Sequence, residues 1–280
     1  NARRYTLHLI GILFMKRLFS IFTLGFILSA CGQNPIGKPA FVMYSENVKD
    51  SFDIYINLPK NYSPKENYNA FYYLDANIKS GNKIREIVRD SLLNPKFANT
   101  IFVGIGHKGD FHVLRRRDFT VPEIIGKDTF GISSNFGHIE HFYLFMKNEL
   151  IPYVNNNYKI NNSENSLLGH SFGGLFTIYA LFKNDLVFKY YYALSPSLWV
   201  SNYSIYNFNK LDTSFDVNKS LLVAAGSLEL LNKIKSGADE FELYLKKKNY
   251  KSLQFEYKIY QGETHNSEVP HSISDILCER

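Results

Sequence analysis

The chain has 280 residues, 45% of them hydrophobic and 16% aromatic, which is enough apolar surface for one large core and too much for an intrinsically disordered chain. Its formal net charge is +6, but Arg3, Arg4, Lys16 and Arg17 lie in the first thirty residues with no acid among them. The remainder holds 28 basic and 26 acidic residues, and this near-neutral body gives no electrostatic case for a nucleic-acid partner.

Residues 1–14, NARRYTLHLIGILF, precede the first methionine and read as an upstream extension outside the fold. Met15 opens MKRLFSIFTLGFILSAC, in which Lys16 and Arg17 precede an apolar run from Leu18 to Leu28. That run has the length of a signal-peptide core and is short for a transmembrane helix. Leu28-Ser29-Ala30-Cys31 resembles the lipobox of bacterial lipoproteins. The resemblance implies a lipidated Cys31, a membrane anchor in the cell envelope, and, with Gly32 rather than an acid next, sorting to the outer membrane. The expected layout is an extension over 1–14, a signal peptide over 15–30, a tether over 31–40 and one folded domain over 41–280. Cys31 and Cys278 are the only cysteines. With Cys31 lipidated, no intrachain disulfide is expected, and no Cys/His cluster suggests zinc. No metal or other cofactor is expected.

Beyond residue 40, strand and helix signals alternate. FDIYINLP (52–59) alternates apolar and polar residues and ends at proline, and NAFYYLD (69–75) is a short aromatic strand. NKIREIVRDSLL (82–93) has helical spacing, TIFVGIG (100–106) is an apolar strand, and IEHFYLFMKNELIPYV (139–154) is a second helix. NSLLG (165–169) reads as a strand, FGGLFTIYALF (172–182) as a helix, KYYYALSPS (189–197) and SLLVAAGS (220–227) as strands. ADEFELYLKKKN (238–249) is a helix and LQFEYKIY (253–260) the last strand. Continuous apolar strands separated by helices predict an α/β fold with a mainly parallel sheet covered on both faces. Residues 107–137 show weak periodicity and read as a loop or lid over a site.

Gly169-His170-Ser171-Phe172-Gly173 fits G-x-S-x-G between a predicted strand and a predicted helix, the context that motif requires. A sharp strand-to-helix turn strains the serine backbone and crowds both flanks, which accounts for the glycines. It projects the hydroxyl at the carboxyl end of the sheet. A nucleophilic serine needs a base. His265, in GETH after the last predicted strand, is the candidate, while His271 reads as a surface residue. The acid belongs after SLLVAAG, where Glu229 stands; Asp239 and Glu240 compete but fall in a helical pattern, and a Ser–His dyad is a further option. Backbone N–H groups of Phe172 and, in YYLDAN (72–77) on the loop after the early strand, Asn77 are the oxyanion-hole candidates.

Taken in order, YYLDAN (72–77), RRRDFT (115–120), FGHIEHFYLFMKNELIPYV (136–154), GHSFGG, SPSLW (195–199) and GETH resemble the esterase D family of α/β-hydrolases. That group includes ferric-siderophore esterases, feruloyl and acetyl-xylan esterases, S-formylglutathione hydrolase and the mycolyltransferases, and the resemblance spans roughly 40–277. It implies the α/β-hydrolase fold, Ser171 as nucleophile, Glu229 as acid, His265 as base, and an oxyanion hole from Asn77 and Phe172. Ala76 departs from it, since the family usually has glycine there and alanine restricts the backbone. Arg115 and Arg117 are candidates for an anionic substrate such as a ferric catecholate, although one arginine pairing with Asp118 is the plainer alternative. Trp199 is a candidate aromatic wall. The expected activity is hydrolysis of a small-molecule ester through an acyl-enzyme, with a siderophore ester preferred. A carbohydrate or feruloyl ester, acyl transfer, and a non-catalytic binding lipoprotein on the same fold are the rivals.

Overall fold

The structure is a computed structural model, and it describes residues 37–91, 97–122, 136–211, 214–230 and 233–279. Residues 1–14, the signal peptide and Cys31 lie outside them.

Apolar runs bounded by turns build one eight-stranded sheet. The strands are β1 (Phe41–Ser45), β2 (Asp50–Asn57), β3 (Asn69–Tyr73), β4 (Thr100–His107), β5 (Ser166–His170), β6 (Tyr190–Leu194), β7 (Lys219–Gly226) and β8 (Leu253–Tyr260). Their spatial order is β1-β2-β4-β3-β5-β6-β7-β8. β1 pairs antiparallel with β2, and β2 antiparallel with β4, while every other pairing is parallel. The helices are α1 (Lys79–Ser91), α2 (Phe111–Phe119), α3 (Ile139–Phe145), α4 (Ile151–Asn157), α5 (Phe172–Phe182), α6 (Ile234–Lys248) and α7 (Glu268–Glu279).

The central strands are apolar throughout because both faces are covered. Along β3, Ala70 and Tyr72 join one buried cluster, and the intervening Phe71 and Tyr73 join the other. Along β7, Leu221, Val223 and Ala225 face the first cluster, whereas Leu222 and Ala224 face the second. Phe142 of α3, Val154 of α4, Phe176 of α5 and Phe241 of α6 complete the first; Ile84 and Val88 of α1 with Val269 and Ile273 of α7 complete the second. The period-2 geometry of a strand sends alternate residues to opposite faces, so each face needs its own helical layer.

Three elements differ from the sequence reading. β1 was not expected: its five residues form the exposed sheet edge, where Val42 and Tyr44 remain 46% and 54% exposed. The stretch read as a loop or lid contains α2, which directly follows β4 and is capped by Asp110 accepting from the His112 and Val113 N–H groups at 3.0 and 3.4 Å. Its polar run FHVLRRRDF buries little besides Asp118 and Phe119, so periodicity was a weak guide. The strand expected over 189–197 stops at Leu194, because Ser195 turns into a left-handed conformation with φ +42°.

Candidate active site

Strand β5 ends at His170 and helix α5 starts at Phe172, leaving Ser171 alone in the turn with φ +62° and ψ −116°. This is a strained conformation for a residue with a side chain. Neighbouring backbone holds it: Ser171 N–H donates to Leu194 O at 2.9 Å, and Ser171 O accepts from Ser197 N–H at 3.0 Å. The two flanking glycines have different reasons. A side chain at Gly169 would begin 2.2 Å from the Gly173 carbonyl oxygen, so only glycine fits. At Gly173 the nearest atom would be 3.4 Å away, an ordinary contact, so the expected crowding on that flank is absent.

His265 lies on the loop between β8 and α7, and Glu229 on the loop after β7. His265 Nδ1–H donates to Glu229 Oε2 at 2.7 Å, which leaves Nε2 for a proton acceptor role. Glu229 is 4% exposed, and its Oε1 accepts from Gly226 N–H at 2.5 Å and from Ser195 Oγ at 2.6 Å. Three donors on one buried carboxylate fix its orientation and hence the imidazole plane. Asp239 and Glu240, the competing acids, sit in α6, where Asp239 accepts from Lys235 and Tyr257. Ser171 and His265 open into one cavity of about 680 Å³, whose wall includes Ile78, Lys83, Phe111, Arg115 and Val269. The Ser171 hydroxyl rests 3.3 Å from Ser197 Oγ rather than on His265.

His170, inside the motif, has a role the sequence did not disclose. Its ring is buried, and its Nε2–H donates to the His265 carbonyl at 2.7 Å, with the two rings 4.5 Å apart. Burial first, then the neighbouring His265, holds its pKa well below the ordinary imidazole value, so it stays neutral. It ties the loop carrying His265 to the turn carrying Ser171.

The oxyanion-hole candidates flank this turn. Among the described residues, neither the Asn77 nor the Phe172 backbone N–H donates to another protein group. The Asn77 side chain is anchored through Nδ2 to His107 O at 2.6 Å. Ala76, the departure from glycine, is not among the positive-φ residues; Asp75, at φ +61°, takes the left-handed position instead. Alanine therefore carries no backbone penalty there.

The arginines divide. Arg115 reaches the cavity wall, but its Nε and Nη2 donate to the buried Asp75 carboxylate at 2.5 and 2.7 Å, and Nη2 also lies 3.3 Å from His170 O. It braces the turn rather than offering a free cation. Arg117 is off the cavity lining, donating to Asp118 and Asp50. This corrects its expected substrate contact and matches the Asp118 pairing weighed beside it. Desolvation would raise the buried Asp118, yet its hydrogen bonds from Arg117 and His107 outweigh that and keep its pKa low. Trp199 is likewise absent from the cavity lining, with its ring 6.4 Å from that of Phe172. Lys83 of α1, which no motif marked, stands on the cavity wall, 3.4 Å from Glu86. Among the described residues no cluster of three or more His, Cys, Asp or Glu could hold a metal ion.

Comparison with known proteins places this geometry in context. The Esterase family model matches residues 45–272. The chain is 30% identical over 259 residues to the ferri-bacillibactin esterase BesA of Bacillus subtilis strain 168, covering 86% of this chain and 88% of that protein. Among solved structures, the BES protein from Bacillus cereus superposes with a TM-score of 0.72 at 29% identity, over 85% of this chain and 93% of its own. An IroE-like serine hydrolase from Shewanella oneidensis gives 0.74 at 26%, over 85% and 78%. The sheet order and helical layers described above are those of the α/β-hydrolase fold shared by these esterases.

Proposed function

Since this chain belongs to the Esterase family and is a carboxylic ester hydrolase, we propose that it cleaves siderophore esters through a Ser171 acyl-enzyme. The observation that carries the reading is Ser171, on its strained turn, opening into the same cavity as a His265 already oriented by Glu229. The chemistry follows from those positions. The Ser171 hydroxyl turns from Ser197 to His265 Nε2, gives up its proton there, and its oxygen attacks the ester carbonyl. Glu229 stabilises the imidazolium that forms. The Asn77 and Phe172 N–H groups, without a protein acceptor among the described residues, receive the developing oxyanion at the N-terminus of α5. Collapse expels the alcohol, which takes the proton from His265. Water, deprotonated by the same imidazole, then releases the acid and restores Ser171.

The siderophore assignment is supported by BesA, whose name specifies ferri-bacillibactin. The cavity, about 680 Å³ with Lys83 on its wall, suits a bulky ester. We further propose that Cys31 anchors the protein by lipid in the cell envelope, at the outer membrane, an arrangement that suits an imported substrate. The test is turnover of p-nitrophenyl acetate and ferri-bacillibactin by the full chain and its Ser171→Ala variant. Loss of both activities in the variant is expected. Turnover of the nitrophenyl ester with none of ferri-bacillibactin would remove the siderophore reading and leave the esterase. Added alcohols that intercept the acyl group faster than water would turn the assignment to acyl transfer. A Cys31→Ser variant that still incorporates labelled fatty acid would remove the anchor.

A further inference from the structure

Ser195, at the end of β6, sits between two buried carboxylates. Its Oγ is 2.6 Å from Glu229 Oε1 and 2.8 Å from Oε1 of Glu268, the first residue of α7. Glu229 is 4% exposed and Glu268 fully buried. One hydroxyl carries one proton and can donate to only one of them. Were both acids ionised, the second oxygen pair would meet lone pair to lone pair, and two negative charges would share one dry site. A further proton must reside on one acid. Glu229 is the poorer place, because it already accepts from Gly226 N–H and His265 Nδ1–H. Among the described residues the Glu268 carboxyl meets only hydroxyls, those of Ser195 and Ser272. Burial, its largest influence, pushes its pKa up to about 7. The proton order is therefore Glu268 Oε1–H to Ser195 Oγ, and Ser195 Oγ–H to Glu229 Oε1.

We propose that Glu268 is a positioning residue of the triad: as the neutral acid it holds Glu229 through Ser195, and its ionisation breaks that chain of donors. This rests on the reading of Ser171, His265 and Glu229 as the triad. The groups facing Glu268 are Ser272 on its own helix, Ser195 after β6, Glu229 after β7 and His265 after β8. Helix α1, which packs on α7, presents Ile84 and Val88, with its Lys83 paired to Glu86. An ionised Glu268 has no proton to give Ser195, so the support behind Glu229 weakens as pH rises through the Glu268 ionisation, and the decline belongs to the alkaline side of the profile.

The experiment is kcat/KM for p-nitrophenyl acetate between pH 5 and 9, measured on the full chain and on Glu268→Gln, Glu268→Val and Ser171→Ala. Glu268→Gln keeps a donor for Ser195 but cannot ionise. Over the alkaline half of that range it holds kcat/KM level where that of the unaltered protein falls by about tenfold. Glu268→Val, lacking the donor, loses about tenfold in kcat with KM unmoved, and Gln restores most of that loss. Superimposable profiles for the wild type and Glu268→Gln would overturn the proposal. Infrared spectroscopy of the unaltered protein is a check that needs no variant to fold. A protonated carboxyl band present at pH 6 and lost by pH 9 is expected, and its absence at pH 6 would overturn the proposal equally. Ser171→Ala separates the two readings: a variant that still turns over removes the triad itself, whereas an inactive one beside superimposable profiles removes only the role of Glu268.

Discussion

Truncating Arg115 tests whether it braces the turn or binds substrate. Its side chain is 11% exposed and donates two hydrogen bonds to an Asp75 carboxylate that is 2% exposed. Arg115→Met keeps an apolar stem but removes the guanidinium, whose Cζ lies 5.8 and 5.6 Å from the Phe119 and Phe172 rings, and leaves Asp75 buried without its counter-charge. Breaking one side of a buried ion pair costs about 3–5 kcal/mol, and the residual exposure of Arg115 places this case near the lower value, about 3 kcal/mol. For a folded unit of this size, each kcal/mol lowers Tm by about 2–4 °C, so the variant melts about 6–12 °C early. Asp75→Asn in the same background removes the stranded charge and recovers at least half of that loss, which a double-mutant cycle on urea-unfolding curves would measure. A Tm within 2 °C of the wild type, together with a raised KM, would refute the brace and restore Arg115 as a substrate contact.

Glu229→Gln leaves His265 without an ionised partner and lowers kcat by about 10²–10⁴-fold at steady KM, whereas a loss under tenfold would favour a Ser–His dyad. Gly169→Ala drives a Cβ to 2.2 Å from the Gly173 carbonyl and costs about 1–3 kcal/mol or more, while Gly173→Ala, with 3.4 Å of clearance, costs less than about 1 kcal/mol; equal melting curves would contradict that difference. The pH dependence of stability separates His170 from Glu268. His170 is protonated in the unfolded chain below its ordinary value of 6.5 but not in the fold, so its contribution is lost as pH falls below 6.5. Glu268 is protonated in the fold up to about 7 but only below 4.5 when unfolded, so its contribution is lost as pH rises from 4.5 to 7. Thermal melts at pH 5 and 7 are expected to show the disadvantage of His170→Gln shrinking on acidification and that of Glu268→Gln shrinking on alkalinisation; parallel curves would refute both assignments.

The nucleophile, base and acid candidates were readable because each depends on local signals: glycines about a serine between a strand and a helix, and a histidine and glutamate just past strand ends. The parallel sheet was readable too, since strands buried on both faces lack alternation, as in SLLVAAG. What the local pattern left undecided is partnership across the chain. Arg115 meets Asp75 forty positions away, Arg117 meets Asp50 sixty-seven away, and Ser195 meets Glu229 and Glu268 thirty-four and seventy-three away. α2 and β1 escaped notice for a related reason, being short elements that bury little of their own surface. Periodicity records which face of an element leaves water. Which charge meets which depends on the order of strands in the sheet, and so the pairing of Arg115, the tether from His170 to His265 and the Ser195 contacts behind Glu229 were decided only in three dimensions.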